Sequence, residues 1–255
     1  MAPEPFDQTI DDLCDIARRA GDAIMAIAAS SLAITRKADH SPVTLADTTA
    51  NELIVAGLTD LTPDIPVVSE EGAHILDKPD QPFWLVDPLD GTKEFIAGNG
   101  EFTVNIALVQ QREPILGVIY APAKDRMFFS SGPGKAFQQV GSAPPERIKA
   151  RTAIPGSLVA LASRSHLDER TQEFLRQANV TDIRQMGSSL KLALIAAGEA
   201  DIYPRFGPTM EWDIAAGHAI LIAAGGSLTK TDGSPLHYAK SDLRNPDFVA
   251  RGTVR

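Results

Sequence analysis

Cysteine is nearly absent from this 255-residue chain. A single one, Cys14, rules out an intramolecular disulfide and any cysteine-rich zinc or iron–sulfur site. Aromatic residues make up only 6%, and no uncharged apolar run approaches the ~18 residues that a membrane-spanning helix needs. Positive charge is in deficit: 24 Lys and Arg against 33 Asp and Glu leave a net charge of -9. Such a field repels nucleic-acid polymers and anionic membrane surfaces. The amino end, Met1 to Pro5, lacks a basic segment followed by an apolar one, so no secretory leader is visible. These absences together point to a reducing, cytoplasmic setting and a small-molecule partner; loose attachment to the inner face of a membrane is allowed but not required.

With 44% hydrophobic and 22% charged residues, the chain has the composition of an ordinary globular protein, and its length is roughly 1.7 times that of a typical domain. Ile10, Leu13, Ala17, Ala20, Ile24 and Ile27 recur at three- and four-residue steps, which predicts an amphipathic helix over 9–29 with Cys14 beside its stripe. Ser41-Pro42 forbids helix before it, so a second helix is expected from Leu45 to Leu58, with Ala46, Ala50, Leu53 and Gly57 on one face. Pro66–Ser69 and Phe83–Val86 read as buried strands, and the apolar runs between Glu101 and Ser131 as an antiparallel meander.

The Gly/Pro-rich stretch from Gly132 to Pro145 reads as a boundary, dividing the chain into lobes 1–145 and 146–255. Beyond it, strand-like and helix-like segments alternate: 158–162, 168–177, 182–186, 188–197 and 202–203, closed by a helix from Ile214 to Ala224. That alternation predicts a layered α/β lobe.

The chemistry concentrates where strands run into acids. In Asp87-Pro88-Leu89-Asp90-Gly91-Thr92, two carboxylates three residues apart follow a buried strand and precede a turn glycine. Asp87, Asp90 and the Leu89 carbonyl supply oxygen ligands suited to Mg²⁺, which keeps several waters and completes its shell with a substrate phosphate. Taken alone, Asp-Pro-x-Asp-Gly is also what any surface turn looks like. Asp47, Glu70 and Asp213 lie at similar junctions, so as many as five acids can converge, and such a cluster demands a cation. A pair of Mg²⁺ ions can clamp a phosphoryl group and activate water, which makes phosphoester hydrolysis the natural reaction. Lys93, Lys191 and Arg205 could add positive field, and Gly91-Thr92 backbone N–H groups if a helix or nest begins there.

Four ordered segments resemble the lithium-sensitive, Mg²⁺-dependent phosphatases of the inositol monophosphatase family: Lys37 to Asp47, Ser69 to Gly72, Trp84 to Thr92 and Glu211 to Gly217. Within that family Lys93-Glu94-Phe95, Asn99 to Ala107 and Gly117 to Pro122 resemble the CysQ-type branch of 3′(2′),5′-bisphosphate nucleotidases. The resemblance implies an α/β (α+β) fold in five layers, α-β-α-β-α. It implies removal of the 3′-phosphate of adenosine 3′,5′-bisphosphate to give AMP, in sulfur assimilation, with the sulfated precursor 3′-phosphoadenylyl sulfate as a second substrate. Two or three Mg²⁺ ions would be held by Glu70, Asp87, the Leu89 carbonyl, Asp90 and Asp213, while Asp47 and Thr92 orient and deprotonate the attacking water. Glu70, Leu89, Asp90, Gly91, Thr92, Ser188, Lys191, Arg205 and Asp213 would contact substrate.

Some residues have simpler readings. Ser188 at a helix start can be an N-cap and Lys191 a solvated helix face. His166 reads as a solvated loop residue, His218 as packing, and Trp84 and Trp212 as core beside the acids. No Gly-x-Ser-x-Gly elbow is present. Inositol monophosphatase or fructose-1,6-bisphosphatase activity is the alternative on the same motifs. A phospho-aspartate mechanism would call for Asp-x-Asp, whereas two residues separate Asp87 from Asp90. A catalytically silent nucleotide-binding protein finds no support, since every motif acid is present.

Overall fold

The computed structural model describes residues 7–29, 34–36, 42–72, 78, 80–154, 156–164, 168–180 and 182–253, with side chains described at 9–29 and from 45 onward within those ranges. Its elements are α1 (Asp7–Ala29), β1 (Ile34–Arg36), β2 (Pro42–Thr44), α2 (Leu45–Leu61), β3 (Val67–Ser69), β4 (Phe83–Asp90), α3 (Thr92–Ile96), β5 (Thr103–Gln110), β6 (Glu113–Ala121), β7 (Arg126–Ser130), β8 (Ala136–Val140), β9 (Glu146–Arg147), β10 (Val159–Ser163), α4 (Glu169–Gln177), β11 (Asp182–Met186), α5 (Leu190–Ala196), β12 (Ile202–Arg205), α6 (Glu211–Ala223), β13 (Ser227–Lys230) and β14 (Phe248–Arg251).

Among the described residues, β3 to β9 form a seven-stranded sheet in sequence order, and β11-β10-β12-β14-β13 form a five-stranded one. In the first, β3 and β4 run parallel and every later neighbour is antiparallel, so the meander expected between Glu101 and Ser131 is β5-β6-β7. In the second, β10, β11 and β12 are parallel and β13 and β14 are added antiparallel.

The layers follow from which faces are apolar. The α1 stripe of Ile10, Leu13, Ala17, Ala20 and Ile24 is buried with Ala46, Ala50, Ile54 and Leu58 of α2 against Trp84, Val86, Ile106 and Val118 on one face of the large sheet. The inner face of α2 is thus Ala46-Ala50-Ile54-Leu58, a strict four-residue step. The Leu53 and Gly57 positions expected there sit at its margin, half-buried, with Gly57 against Ile16. The opposite face of that sheet shares a core with α5, α6 and the small sheet. Leu175 of α4 packs with Ala160, Ile202 and Val249 on the outer side of the small sheet. The order is therefore α1/α2, large sheet, α5/α6, small sheet, α4: the five-layer α-β-α-β-α arrangement.

Several expectations need correction. Between the two Gly/Pro-rich stretches read as a boundary between lobes, 132–134 and 141–145, lies β8, which pairs with β7 through Phe129↔Phe137; the flanking Gly and Pro masked a five-residue strand. Helix α6 starts at Glu211, three residues before the expected start at Ile214, and α5 spans only Leu190–Ala196. Strands β13 and β14 were not expected, since four-residue segments give too little alternation to read. His166, Asp39 and Ser41 lie outside the described residues. No described helix is long and apolar enough to cross a membrane.

Close approach of α6 to the large sheet sets where the helix begins. A Cβ on Gly117 of β6 would stand 2.3 Å from the Ala216 carbonyl oxygen. Gly117→Ala is therefore expected to push α6 off the sheet and to lower stability by roughly 1–3 kcal/mol, the usual cost of overpacking, read as a fall in the denaturant midpoint at constant m-value.

Candidate active site

The acids converge because β3 and β4 are parallel neighbours whose carboxyl ends lie side by side. Ser69 pairs with Val86, and the Glu70 N–H donates to the Val86 carbonyl at 3.1 Å, which places Glu70 alongside Asp87. Asp47 is buried in the first turn of α2, which packs on both strands. The ladder to β5 is irregular between Asp87 and Asp90, and the bulge turns Asp90 out of the strand's alternation. Leu89 N–H donates to Asp87 Oδ1 at 3.1 Å, and the Thr92 hydroxyl to the Leu89 carbonyl at 3.3 Å, fixing the Asp-Pro-Leu-Asp turn. Gly91 has φ +93°, a left-handed backbone that favours glycine, and α3 begins at once with Thr92. Asp213 arrives from the opposite layer as the third residue of α6, its Oδ2 accepting the Met210 N–H at 2.8 Å.

The electrostatics are those of like charges in a dry crevice. Asp87, 1% exposed, has its carboxyl pushed well above the usual range by burial first, then by Glu70, Asp90, Asp213 and Asp47. Burial and then Asp90 push Asp213 up; its Met210 N–H bond opposes this. Burial raises Asp90 too, against the pull of Lys191, the Ser189 N–H and the Asn105 amide. Among the described residues no three His, Cys, Asp or Glu side chains stand close enough together to hold a metal ion as they are placed. The donor set still suits a hard cation. It is all oxygen, and the charges acting most on buried Asp87 are four acids with no cation among them.

A cleft of about 290 Å³ opens beside this cluster, lined by Glu70, Asp90 and Asp213 and also by Lys191 and Arg205. Lys191 is 4% exposed, which excludes the solvated-face reading. Its Nζ donates to the Met186 and Ser188 carbonyls and lies 5.2 Å from the Tyr203 ring centre. Burial lowers its ammonium to about 8 against the opposing pull of Asp90. Arg205 ends β12, donates through Nη2 to the Pro208 carbonyl at 2.9 Å, and keeps a buried Nε with no partner among the described residues.

Ser188 lines the cleft with φ +49°, but the residue capping α5 is Ser189. The Ser189 hydroxyl donates not to the helix but to Asn105 Oδ1 at 2.7 Å, and lies 2.9 Å from the Thr103 hydroxyl. The structure thus brings Glu70, Leu89, Asp90, Gly91, Thr92, Ser188, Lys191, Arg205 and Asp213 into or beside one cleft, with Asp47 and Asp87 buried; Lys93, though exposed, lines the cleft as well. Sequence reasoning places Thr103 and Asn105 within a family-like segment and Ser189 and Tyr203 beside the expected nucleotide contacts, but gives none of the four a role of its own, because their contacts depend on the approach of distant elements with no local signal.

His218 and Tyr238 pack together as expected, Nδ1 and hydroxyl 2.9 Å apart. Trp84 is fully buried with its Nε1 donating to Thr62 Oγ1, and Trp212 packs against the central core. Glu211, also fully buried, is satisfied by the Ala239 and Lys240 N–H groups and the Lys240 ammonium, so it anchors the start of α6 instead of facing the cleft.

Comparison with known proteins agrees with this geometry. Residues 7–252 match the model of the inositol monophosphatase family. A 3′(2′),5′-bisphosphate nucleotidase CysQ of Escherichia coli O157:H7 is 48% identical over 249 residues, covering 94% of this chain and 98% of that protein. The crystal structure of CysQ from Bacteroides thetaiotaomicron, a bacterial member of the family, superposes with a TM-score of 0.85 at 41% identity, covering 97% of this chain and 98% of that one. An inositol monophosphatase from Anabaena (Nostoc) sp. PCC 7120 superposes with a TM-score of 0.79 at 25% identity, covering 98% and 92%.

The raised carboxyls have a consequence for stability. A carboxyl whose folded value lies above its unfolded one binds more protons when folded, so the protein gains stability as pH falls through the raised value and is penalised at neutral pH. Asp87→Asn removes one repelling charge. In chelator at neutral pH its thermal midpoint is expected above wild type, and the upward shift that Mg²⁺ gives the wild type is expected to shrink; a lower midpoint in chelator would contradict the charge-cluster reading.

Proposed function

The chain belongs to the inositol monophosphatase family, whose members are typically metal-dependent phosphatases, and from that premise we propose that it is a 3′(2′),5′-bisphosphate nucleotidase. It removes the 3′-phosphate of adenosine 3′,5′-bisphosphate, giving AMP and phosphate, and accepts 3′-phosphoadenylyl sulfate as a second substrate. The carrying observation is that one cleft is lined by groups of both signs. Its acid cluster suits a cation-bound phosphate, and the buried pair Lys191 and Arg205 suits a second anion. A substrate with one phosphate leaves the basic pair without a partner. The 48% identical relative named for this activity supports the same reading.

Glu70, Asp87, the Leu89 carbonyl, Asp90 and Asp213 would hold the two or three Mg²⁺ ions. When bound, such ions polarise a phosphoryl oxygen and lower the pKa of water. The remaining work belongs to the chain. Thr92, whose hydroxyl already lies against the Leu89 carbonyl, orients the attacking water, and Asp47 accepts its proton through that hydroxyl. A new P–O bond forms from water as the bond to the sugar oxygen breaks. The sugar oxygen takes a proton from a second water, and the proton that Asp47 later releases neutralises the hydroxide left behind; no phosphoenzyme forms. Ser188, Lys191 and Arg205 hold the nucleotide, Lys191 with both its carbonyl bonds fixing the ammonium toward the cleft.

Phosphate release measured under Mg²⁺ is expected to favour adenosine 3′,5′-bisphosphate over inositol 1-phosphate; the reverse preference would move the enzyme to the inositol phosphatase branch. Asp90→Asn is expected to reduce turnover by at least the roughly 100-fold that even an outer-shell metal partner can cost, while the protein stays folded by circular dichroism. Lys191 is protonated below about 8, so wild-type kcat/KM is expected to fall as pH rises through that value. Lys191→Met starts low and is expected to lack that alkaline limb.

A further inference from the structure

Glu94, the third residue of α3, is a carboxylate the chemistry above does not use. It is 8% exposed and lines the cleft between the metal-site turn and the Gly187-Ser188-Ser189 turn. Room for it is made by absent side chains on both walls. A Cβ on Gly187 would stand 2.5 Å from Glu94 Cγ, and one on Gly91 would stand 3.3 Å from its Oε2. Among the described residues no hydrogen bond or ion pair reaches the carboxylate; its charge acts on Asp90 and Lys191 at longer range. The carboxylate keeps an opening onto the cleft, and an unpartnered acceptor so placed is one that a ligand's donor can satisfy.

The chemistry of that ligand group is constrained. An ionised carboxylate only accepts hydrogen bonds and repels phosphate, so what faces Glu94 is a neutral donor. On the nucleotidase reading the acid cluster takes one phosphate through its cations, and Lys191 with Arg205 takes the other. The part of a nucleoside bisphosphate that lies between them is the sugar. Its donor nearest the cleaved ester, on the side of Asp90 and Gly91, is the hydroxyl vicinal to that phosphate.

Resting on the nucleotidase reading, we propose that Glu94 is a specificity-determining residue that accepts a hydrogen bond from the sugar hydroxyl vicinal to the scissile phosphate, so that the enzyme selects ribonucleotides over 2′-deoxyribonucleotides. A site built around a hydroxyl rejects an analogue lacking it, because its buried acceptor is then left without a partner.

The test compares kcat/KM under Mg²⁺ for adenosine 3′,5′-bisphosphate and its 2′-deoxy analogue in wild type, Glu94→Gln and Glu94→Ala. Wild type is expected to favour the ribose form by at least about tenfold. Glu94→Gln, nearly isosteric and still an acceptor but uncharged, is expected to retain part of that ratio, and Glu94→Ala to bring it close to one. A role confined to packing would lower both substrates equally and leave the ratio unmoved, and that result overturns the proposal, as does a wild type indifferent to the 2′-hydroxyl. Wild type that turns over neither nucleotide but hydrolyses inositol 1-phosphate overturns the nucleotidase reading, and this assignment with it.

Discussion

Repulsion among carboxylates is the constraint around which the rest of the molecule is arranged. Asp87, Asp90, Asp213, Glu70 and Asp47 act on one another strongly enough to lift the carboxyl of Asp87, yet they come from α2, from the ends of β3 and β4, and from the start of α6. No single element could tolerate that concentration. Distributing the acids over four elements lets core packing supply the force that holds them together. Trp84, Leu85, Val86 and Leu89 are buried along β4, and Ile214, Ala215 and Ala216 secure α6 against the large sheet. Entry of a cation would relieve that repulsion, which is how a fold converts burial into ligand affinity.

The two kinds of buried acid in α6 illustrate the distinction. Glu211 has two backbone N–H groups and a lysine, and it stabilises the helix start. Asp213, two residues on, spends one oxygen on the Met210 N–H and turns the rest of its carboxylate toward the acid cluster. Neighbouring positions thus serve opposite ends: one is closed by its own chain, the other left to be completed. The same contrast separates Asp201, closed by Arg151 and the Val159 N–H, from Glu94, which has no such closure.

Basic groups enter from the other direction. Lys191 reaches the cleft because α5 begins after a left-handed Ser188, and its ammonium is held by two carbonyls of that turn. Ser189 ties the same turn to Asn105, which approaches Asp90 with its amide at 3.5 Å. The turn that carries Lys191 and the acid Asp90 are therefore coupled through a short polar chain from the start of α5 to the large sheet, so that the spacing between them is set by the fold.

Much of this was readable in the chain. The stripe of α1, the β4 strand running into Asp87, the meander and the alternation of the second half are local patterns, and local patterns report periodicity directly. The order of the acid motifs was equally plain, because a turn such as Asp87-Pro88-Leu89-Asp90-Gly91 carries its chemistry within five residues. What the residues by themselves determined is thus the inventory: which acids, which cations, which helices and strands. Tertiary structure alone decided that Ser189 bonds Asn105 84 positions away, that Lys191 is buried rather than solvated, and that Gly187 yields its space to Glu94. Those outcomes depend on register between strands and on the approach of layers distant in sequence, and burial at such distances leaves no periodic trace along the chain.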